Sequence, residues 1–583
     1  MLKYTHVYDT HLLRGHINIQ PAQIVSNPTR TIPVLILWLL IVTLVACQND
    51  TPPPNVSPSA PPPAPQEAEV EPGPATALPP TAVPQVQFDA SATDSTAIIG
   101  LIDPPETLNP FVETRPALRE MSPHLFETLL QANPETATLQ PGLARAWEFS
   151  DDGGQVQFHL PANLKWSDGS PMTAATIIES LQASQHPALA AFSSLSAPDA
   201  TTLSLTAATV NCSAVTALAQ LPLIPSRDIT ATIPTGSGPF VVANQPENKR
   251  SLDLVRNINY HGVEPGLEQI IIRFLREDEV SIALSEGQFD LVGPLPSPLT
   301  SERTAGNNLQ IPARFSDIAY PAGQMVYLAL NFDPKNGEPL PAKARQALML
   351  AFDRETLLAE TLDNQGQLLA GSLLPGHWAA ANNLTLPAYN PNSARQLLNE
   401  AGLRDSDDDG WLEQNGERLE LSMRLDGRNP LHQNLGWLIS SYLREVGVFT
   451  RAEGAGFDSV VNDLFTHDFH LAIFSWPILA DPDQQQFWRS TENKEGFGLN
   501  FTSYANSQLD RQLDQANSLP GCDPIERAKI YADIQQILSR DRPVDFLLAP
   551  NDHILVAGRL QGIQPGPFAP LTWNIADWHL QKE

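Results

Sequence analysis

The chain has 583 residues, 42% of them hydrophobic, and carries 35 Lys+Arg against 65 Asp+Glu for a formal net charge of −30. That length exceeds one ordinary core and implies two or three domains, while the acid excess excludes a nucleic-acid partner, which needs basic patches, and suits solubility beside a membrane. Three cysteines are too few for a disulfide scaffold or a Cys-built zinc site.

In chain order the first feature is Thr31 to Cys47, TIPVLILWLLIVTLVAC. Its apolar run, Ile32 to Val45, fits a signal-peptide h-region and falls short of the roughly 20 residues that span a bilayer. Arg30 supplies the positive charge before it, and the run closes on Leu44-Val45-Ala46-Cys47, which resembles the lipobox of bacterial lipoprotein signal peptides. That resemblance implies cleavage of residues 1–46 and acylation of Cys47; the alternative is an uncleaved membrane helix. With Cys47 spent on lipid, Cys212 and Cys522 remain, and a disulfide between them can form but is expected to be absent. Thirteen prolines lie between Pro52 and Pro84 with almost no large apolar side chains. Residues 47–94 therefore read as an extended tether rising about 3.1 Å per residue, rather than a proline-motif ligand.

Order is expected from Ser95, where TAIIGLI reads as a buried strand. Asp151-Asp152-Gly153-Gly154 and Trp166-Ser167-Asp168-Gly169 are turn chemistry around an alternating strand, Gln155 to Leu160, and Thr173 is placed to cap a helix. Further helices are predicted over Ala344 to Phe352, after the Asn390-Pro391 cap, over Leu431 to Val446 and after Asp523-Pro524, closed in two cases by Gly402 and Gly447. Strands are predicted at Gln269 to Leu275, Gln324 to Asn331, Glu420 to Leu425 and Phe469 to Phe474. Helices alternating with strands predict α/β lobes.

A series of short strings, in order, carries a resemblance. Phe126-Glu127-Thr128-Leu129-Leu130, Pro141-Gly142-Leu143-Ala144, Trp147-Glu148, Lys165-Trp166-Ser167-Asp168-Gly169, Thr235 to Phe240, Asn257 to Gly262, Gly287 to Asp290, Arg345 to Leu348 and Asp481-Pro482-Asp483 resemble the signature of the family 5 extracellular solute-binding proteins, which bind oligopeptides, dipeptides or nickel for ABC importers. The likeness covers about residues 95–580. It implies an α/β, two-lobe periplasmic-binding-protein-like fold of type II, with discontinuous lobes joined by a hinge. Lobe I would comprise 95–130, 226–325 and 546–583, a small extra domain 131–225, and lobe II 326–545.

The resemblance also implies site residues. Trp476 would line the ligand, the alternative being a core tryptophan. Arg428, with Asn429, holds the place of an arginine that some dipeptide binders set against a ligand carboxylate, the alternative being a solvated loop arginine. Thr114, Arg115 and Pro116 match the segment that pairs with a peptide backbone. Leu479 stands where peptide binders carry an Asp for the ligand ammonium, so Asp481 would have to take that role.

Other chemistry finds little support. No nucleophile elbow or H-E-x-x-H is present, so no enzyme and no cofactor is expected. His467 and His470 are spaced by three with the second in a strand-like run, so they would face opposite sides of a sheet rather than share a metal. Asp405, Asp407, Asp409 and Gly410 spell the first half of a calcium loop, but Gly416 stands where the bidentate Glu belongs, so a surface hairpin is expected. The expectation is a monomeric, lipid-anchored binder of a peptide or similar small solute on the extracytoplasmic face of the membrane, partnered by ABC permease subunits. An anchored sensor or adhesin of the same fold, or a binder of an oligosaccharide or metal chelate, is the alternative.

Overall fold

The computed structural model describes residues 95–245, 249–286, 288–297 and 311–581; the leader, Cys47 and the proline-rich stretch lie outside them. Among the described residues no helix is long and apolar enough to cross a membrane.

One large mixed sheet organises the chain. Its strands run, edge to edge, Phe449–Ala455, Glu420–Asp426, Leu471–Pro477, Gln324–Leu330, Val544–Ala557, Leu291–Pro296, Thr96–Ile102, Gln269–Leu275, Ser251–Arg256 and Phe240–Asn244. Helices cover both faces, which is why TAIIGLI, QIIIRFL and LAIFSWP read as continuous apolar runs rather than alternating ones. In Leu471–Pro477, Leu471 and Ile473 enter one core while Ala472, Phe474 and Trp476 enter another.

The 14-residue strand Val544–Ala557 divides the sheet in two. Its first half pairs with Gln324–Leu330 and its second half with Leu291–Pro296 and Phe315–Pro321. The chain thus crosses between the halves twice side by side, at Ala322-Gly323 and at Pro550-Asn551, where Ala322 N donates to Pro550 O at 2.8 Å. This is the two-lobe α/β fold with a two-strand hinge. A separate four-stranded antiparallel sheet, Ala146–Phe149, Gln155–His159, Thr202–Thr206 and Ser194–Ser196, has its own core between Leu129 and Leu223.

Local signals hold where they rest on caps and turns. Thr173 caps Ala174–Ala183, Asn390 caps Pro391–Glu400 and Asp523 caps Pro524–Asp541, each through a side-chain oxygen accepting from first-turn N–H groups. The strand expected from Phe469 begins instead at Leu471 and runs to Pro477. The Asn331 amide donates to the carbonyls of His467 and Phe469, both at 2.8 Å, and holds that approach out of the ladder. A second correction concerns the cysteines: Cys212 and Cys522 are disulfide-bonded, their Cα atoms 5.5 Å apart across 310 residues of sequence.

Candidate functional site

The register decides where a ligand can sit. Thr96–Ile102 runs parallel to Leu291–Pro296, and Pro296 pairs with Asp552 beside the crossing, so the carboxyl end of Thr96–Ile102 faces the hinge. On the other half, Pro477 pairs with Gln324, one residue past Gly323, and Glu420–Asp426 runs parallel to Leu471–Pro477. The carboxyl edges of both halves therefore converge on the crossing, where open α/β sheets place their ligands.

From lobe I, the loop after Thr96–Ile102 leads to the helix Pro116–Leu125 and carries Thr114, Arg115 and Pro116. Glu113, which sequence reasoning missed, organises this loop. Its carboxylate accepts from the backbone N–H groups of Glu106 (2.6 Å), Thr107 (3.3 Å), Thr114 (2.8 Å) and Arg115 (3.0 Å). Burial would raise its pKa, but these donors hold the carboxyl below its ordinary value. Arg115 is tied within the same loop, donating to Glu106 at 2.7 Å and to Pro104 O at 3.0 Å, and Pro116 opens the helix. One turn on, Arg119 reaches the crossing: a Cβ on Gly323 would lie 3.5 Å from its Nη1. Burial, with the neighbouring charge of Glu120 adding and Arg119 opposing, pushes Asp552 on the crossing strand up to about 7. No local pattern distinguishes these residues from an ordinary helix face and strand.

From lobe II, Arg428 and Asn429 follow Glu420–Asp426, as the strand–loop–helix pattern predicts. Asn429 Oδ1 accepts from Leu431 N (3.0 Å) and His432 N (3.3 Å), so that oxygen is committed to capping Pro430–Glu445. The Arg428 guanidinium is exposed and has no hydrogen-bond or ion-pair partner among the described residues.

Two of the expected site residues are held by neighbouring side chains. Trp476 is 6% exposed, stacked on Phe501 (5.6 Å, 7°) and Tyr327 (6.0 Å, 13°) with Phe487 at 4.1 Å. Asp481 is not open to a ligand ammonium. Its carboxylate accepts from Arg527 Nη1 and Nη2, both at 3.2 Å, from Thr216 Oγ1 at 3.0 Å and from Asp483 N at 3.0 Å. The side chains of Arg527 and Asp481 are 4% and 13% exposed. Arg527 stands in the first turn of Pro524–Asp541, 46 residues away, which no local reading connects to Asp481.

Ligand atoms of Asp405, Asp407 and Glu413 lie within 4.8 Å of one another on an exposed turn. Asp409 is paired with Arg418 at 2.6 Å, and Asp405 and Asp407 accept from the turn's own backbone N–H groups. His467 and His470 do not face opposite sides of a sheet, because both precede the strand Leu471–Pro477; their partners are Ser503 Oγ at 2.5 Å for the first and Ser422 Oγ at 2.8 Å for the second.

The chain matches the model of the bacterial extracellular solute-binding proteins, family 5, over residues 138–498. It is 27% identical to the oligopeptide-binding protein AppA of Bacillus subtilis over 356 residues, which is 60% of this chain and 62% of AppA. It is 23% identical to the probable D,D-dipeptide-binding periplasmic protein DdpA of Escherichia coli over 504 residues, 82% of this chain and 93% of that protein. Among solved structures, AppA in complex with a nonapeptide superimposes with a TM-score of 0.64 at 21% identity, covering 84% of this chain and 99% of AppA. NikA from Brucella suis in complex with Fe(III)-EDTA superimposes at 0.70 and 20% identity, covering 83% of this chain and all of NikA (100%). The structural likenesses show the shared fold. The family match spans more than half of the chain, and the chain belongs to the bacterial extracellular solute-binding proteins of family 5, which bind solutes and are not enzymes.

Proposed function

We propose that this chain is the lipid-anchored solute-binding subunit of an ABC importer, closing lobe I (95–130, 226–325, 546–583) with its extra domain (131–225) against lobe II (326–545) around a peptide-like solute. The observation that carries this reading is the convergence of both carboxyl edges on a two-strand crossing, the geometry of a hinge with a cleft above it. AppA and DdpA, named for oligopeptide and D,D-dipeptide binding, support a peptide as the class.

The state of the side chains narrows that class. Asp481 is neutralised by Arg527, so an ammonium brought against it would find no available charge and would pay a desolvation cost of several kcal/mol. Trp476 is 6% exposed and packed among Tyr327, Phe487 and Phe501, which does not favour a sugar stacked on it. Arg428 is the free cation at the cleft edge of lobe II among the described residues there, and its planar fork suits a carboxylate. A peptide blocked at its amino end, held by its carboxylate, fits this set; a metal chelate carrying carboxylates is the second reading, favoured by the same arginine.

Calorimetry with a mixed peptide library and its N-acetylated copy tests this. The acetylated copy is expected to bind at least as tightly, and Arg428→Ala to weaken it tenfold or more. Free-amine peptides binding at micromolar levels while their acetylated copies do not would sink the reading. The anchor is tested separately: Cys47→Ser is expected to abolish labelling by a radiolabelled fatty acid in the membrane fraction, and equal labelling of both chains refutes acylation at Cys47.

A further inference from the structure

The main chain enters and leaves the small sheet domain through lobe I, at 126–131 and 223–227. Backbone bonds seal that junction: Leu143 N donates to Thr128 O at 2.9 Å, Leu223 N to Glu127 O at 2.9 Å and Ser167 N to Gly236 O at 2.8 Å. The domain therefore travels with lobe I. Its opposite side lies against lobe II. There Ser213 N donates to Asn517 Oδ1 at 2.9 Å, Thr216 Oγ1 to Asp481 Oδ2 at 3.0 Å, and Trp378 N to Thr136 O at 2.9 Å. The turn at Gly153, with φ of +70°, comes so close that a Cβ would lie 2.8 Å from Pro520 Cα.

The Cys212–Cys522 disulfide stands in the middle of this seam. The helix Pro524–Asp541 leads from Cys522 back to Val544, the end of the crossing strand far from Asn551. An 18-residue helix spans about 27 Å, so Cys522 stands at the cleft end of lobe II. The bond thus joins two bodies that a hinge at Gly323 and Asn551 would separate.

We infer that Cys212–Cys522 is a covalent limit on lobe opening: while it is intact the extra domain and lobe II can part only about that one tethered point, and its reduction releases the seam and widens the clamp. The inference rests on the hinged-clamp reading above. An external dithiol performs the reduction. One of its thiolates attacks a protein sulfur to give a mixed disulfide and one free protein thiolate. Its second thiol then closes its own disulfide, so that two electrons and two protons pass to Cys212 and Cys522.

Hydrogen exchange of the full chain in detergent micelles, without ligand, tests this. Oxidised protein is compared with protein reduced by dithiothreitol and alkylated, and with Cys212→Ser/Cys522→Ser. Exchange at Ser213 and Trp378 is expected to rise tenfold or more on reduction, with Leu143, Leu223 and Ser167 unchanged. No change at Ser213 and Trp378 overturns the inference, and so does an equal rise at all five amides, which would make the bond a plain stabilising staple. If the serine variant does not fold, reduction of the already folded wild type still decides. Because the readout needs no ligand, its failure leaves the solute reading to calorimetry, and a failed calorimetric search leaves this result standing.

Discussion

Replacing Arg527 with leucine is expected to cost about 3–5 kcal/mol at pH 7, because it strands a buried charge rather than merely deleting a contact. The guanidinium serves Asp481 with two nitrogens, donates from Nε to Ala516 O at 3.0 Å and from Nη2 to Tyr531 Oη at 3.3 Å, and lies 5.5 Å from the Trp378 ring centroid. Beside it, burial and then the charge of Asp481 push Asp483 up to about 6. A carboxyl whose folded pKa exceeds its unfolded value of 3.8 contributes stability below that value and loses it as pH rises through about 6. Without Arg527, Asp481 and Asp483 lie side by side with no cation against them, and the repulsion between the two charges adds to the cost of ionising Asp483. The variant's deficit should therefore be largest above pH 6 and shrink as the solution is acidified. Replacing both partners, Asp481→Leu/Arg527→Leu, is expected to recover most of the loss, since a hydrophobic pair avoids the desolvation that the ion pair pays. Unfolding by guanidinium chloride at several pH values measures this. A double variant as unstable as the single one, or a pH-independent deficit, would show that Asp481 is not the stranded group.

The same ion pair marks the limit of what the sequence shows. Features set by a few neighbouring residues were legible: the turn at Asp151 to Gly154, the caps at Thr173, Asn390 and Asp523, and strands such as Thr96–Ile102 whose two buried faces force an unbroken apolar run. Arg428 and Asn429 were placed by the same local logic, a loop between a strand and a capped helix. The order of the family's short strings supplied the two-lobe architecture. Contacts set by tertiary packing were not legible. Arg527 reaches Asp481 from 46 residues away, and Cys212 meets Cys522 across 310. The packing of Trp476 among Tyr327, Phe487 and Phe501, the last 25 residues on, has no local sign either. Glu113 escaped because a carboxylate that gathers four backbone N–H groups looks, in sequence, like any loop acid.

Glu127 is expected to impose an alkaline loss of stability on the whole fold. It sits where lobe I meets the small sheet domain, its own carbonyl accepting from Leu223 N at 2.9 Å. Its Oε2 is buried without a hydrogen-bond partner, and the nearest cation candidate, His261 Nδ1, is 3.6 Å away. Burial pushes the Glu127 carboxyl up to about 8, and burial followed by the charge of Arg145 lowers His261, so near pH 7 the pair is held neutral rather than as ions. Since the folded pKa lies above the unfolded 4.5, the contribution is complete below pH 4.5 and is lost as pH rises through about 8. At about 1.4 kcal/mol per unit the full loss is of the order of 4–5 kcal/mol. The buried histidines act in the opposite direction. His124, His377 and His432 are depressed to about 4 by burial, and what they contribute is present above 6.5 and lost as pH falls through about 4. Stability should therefore peak between pH 5 and 7 by these groups. Glu127→Gln keeps the shape and removes the titration: it should match the wild type near pH 5 and exceed it by about 4 kcal/mol near pH 9. Denaturation midpoints from pH 5 to 9 decide, and parallel curves for the two proteins would mean that Glu127 does not carry the alkaline loss.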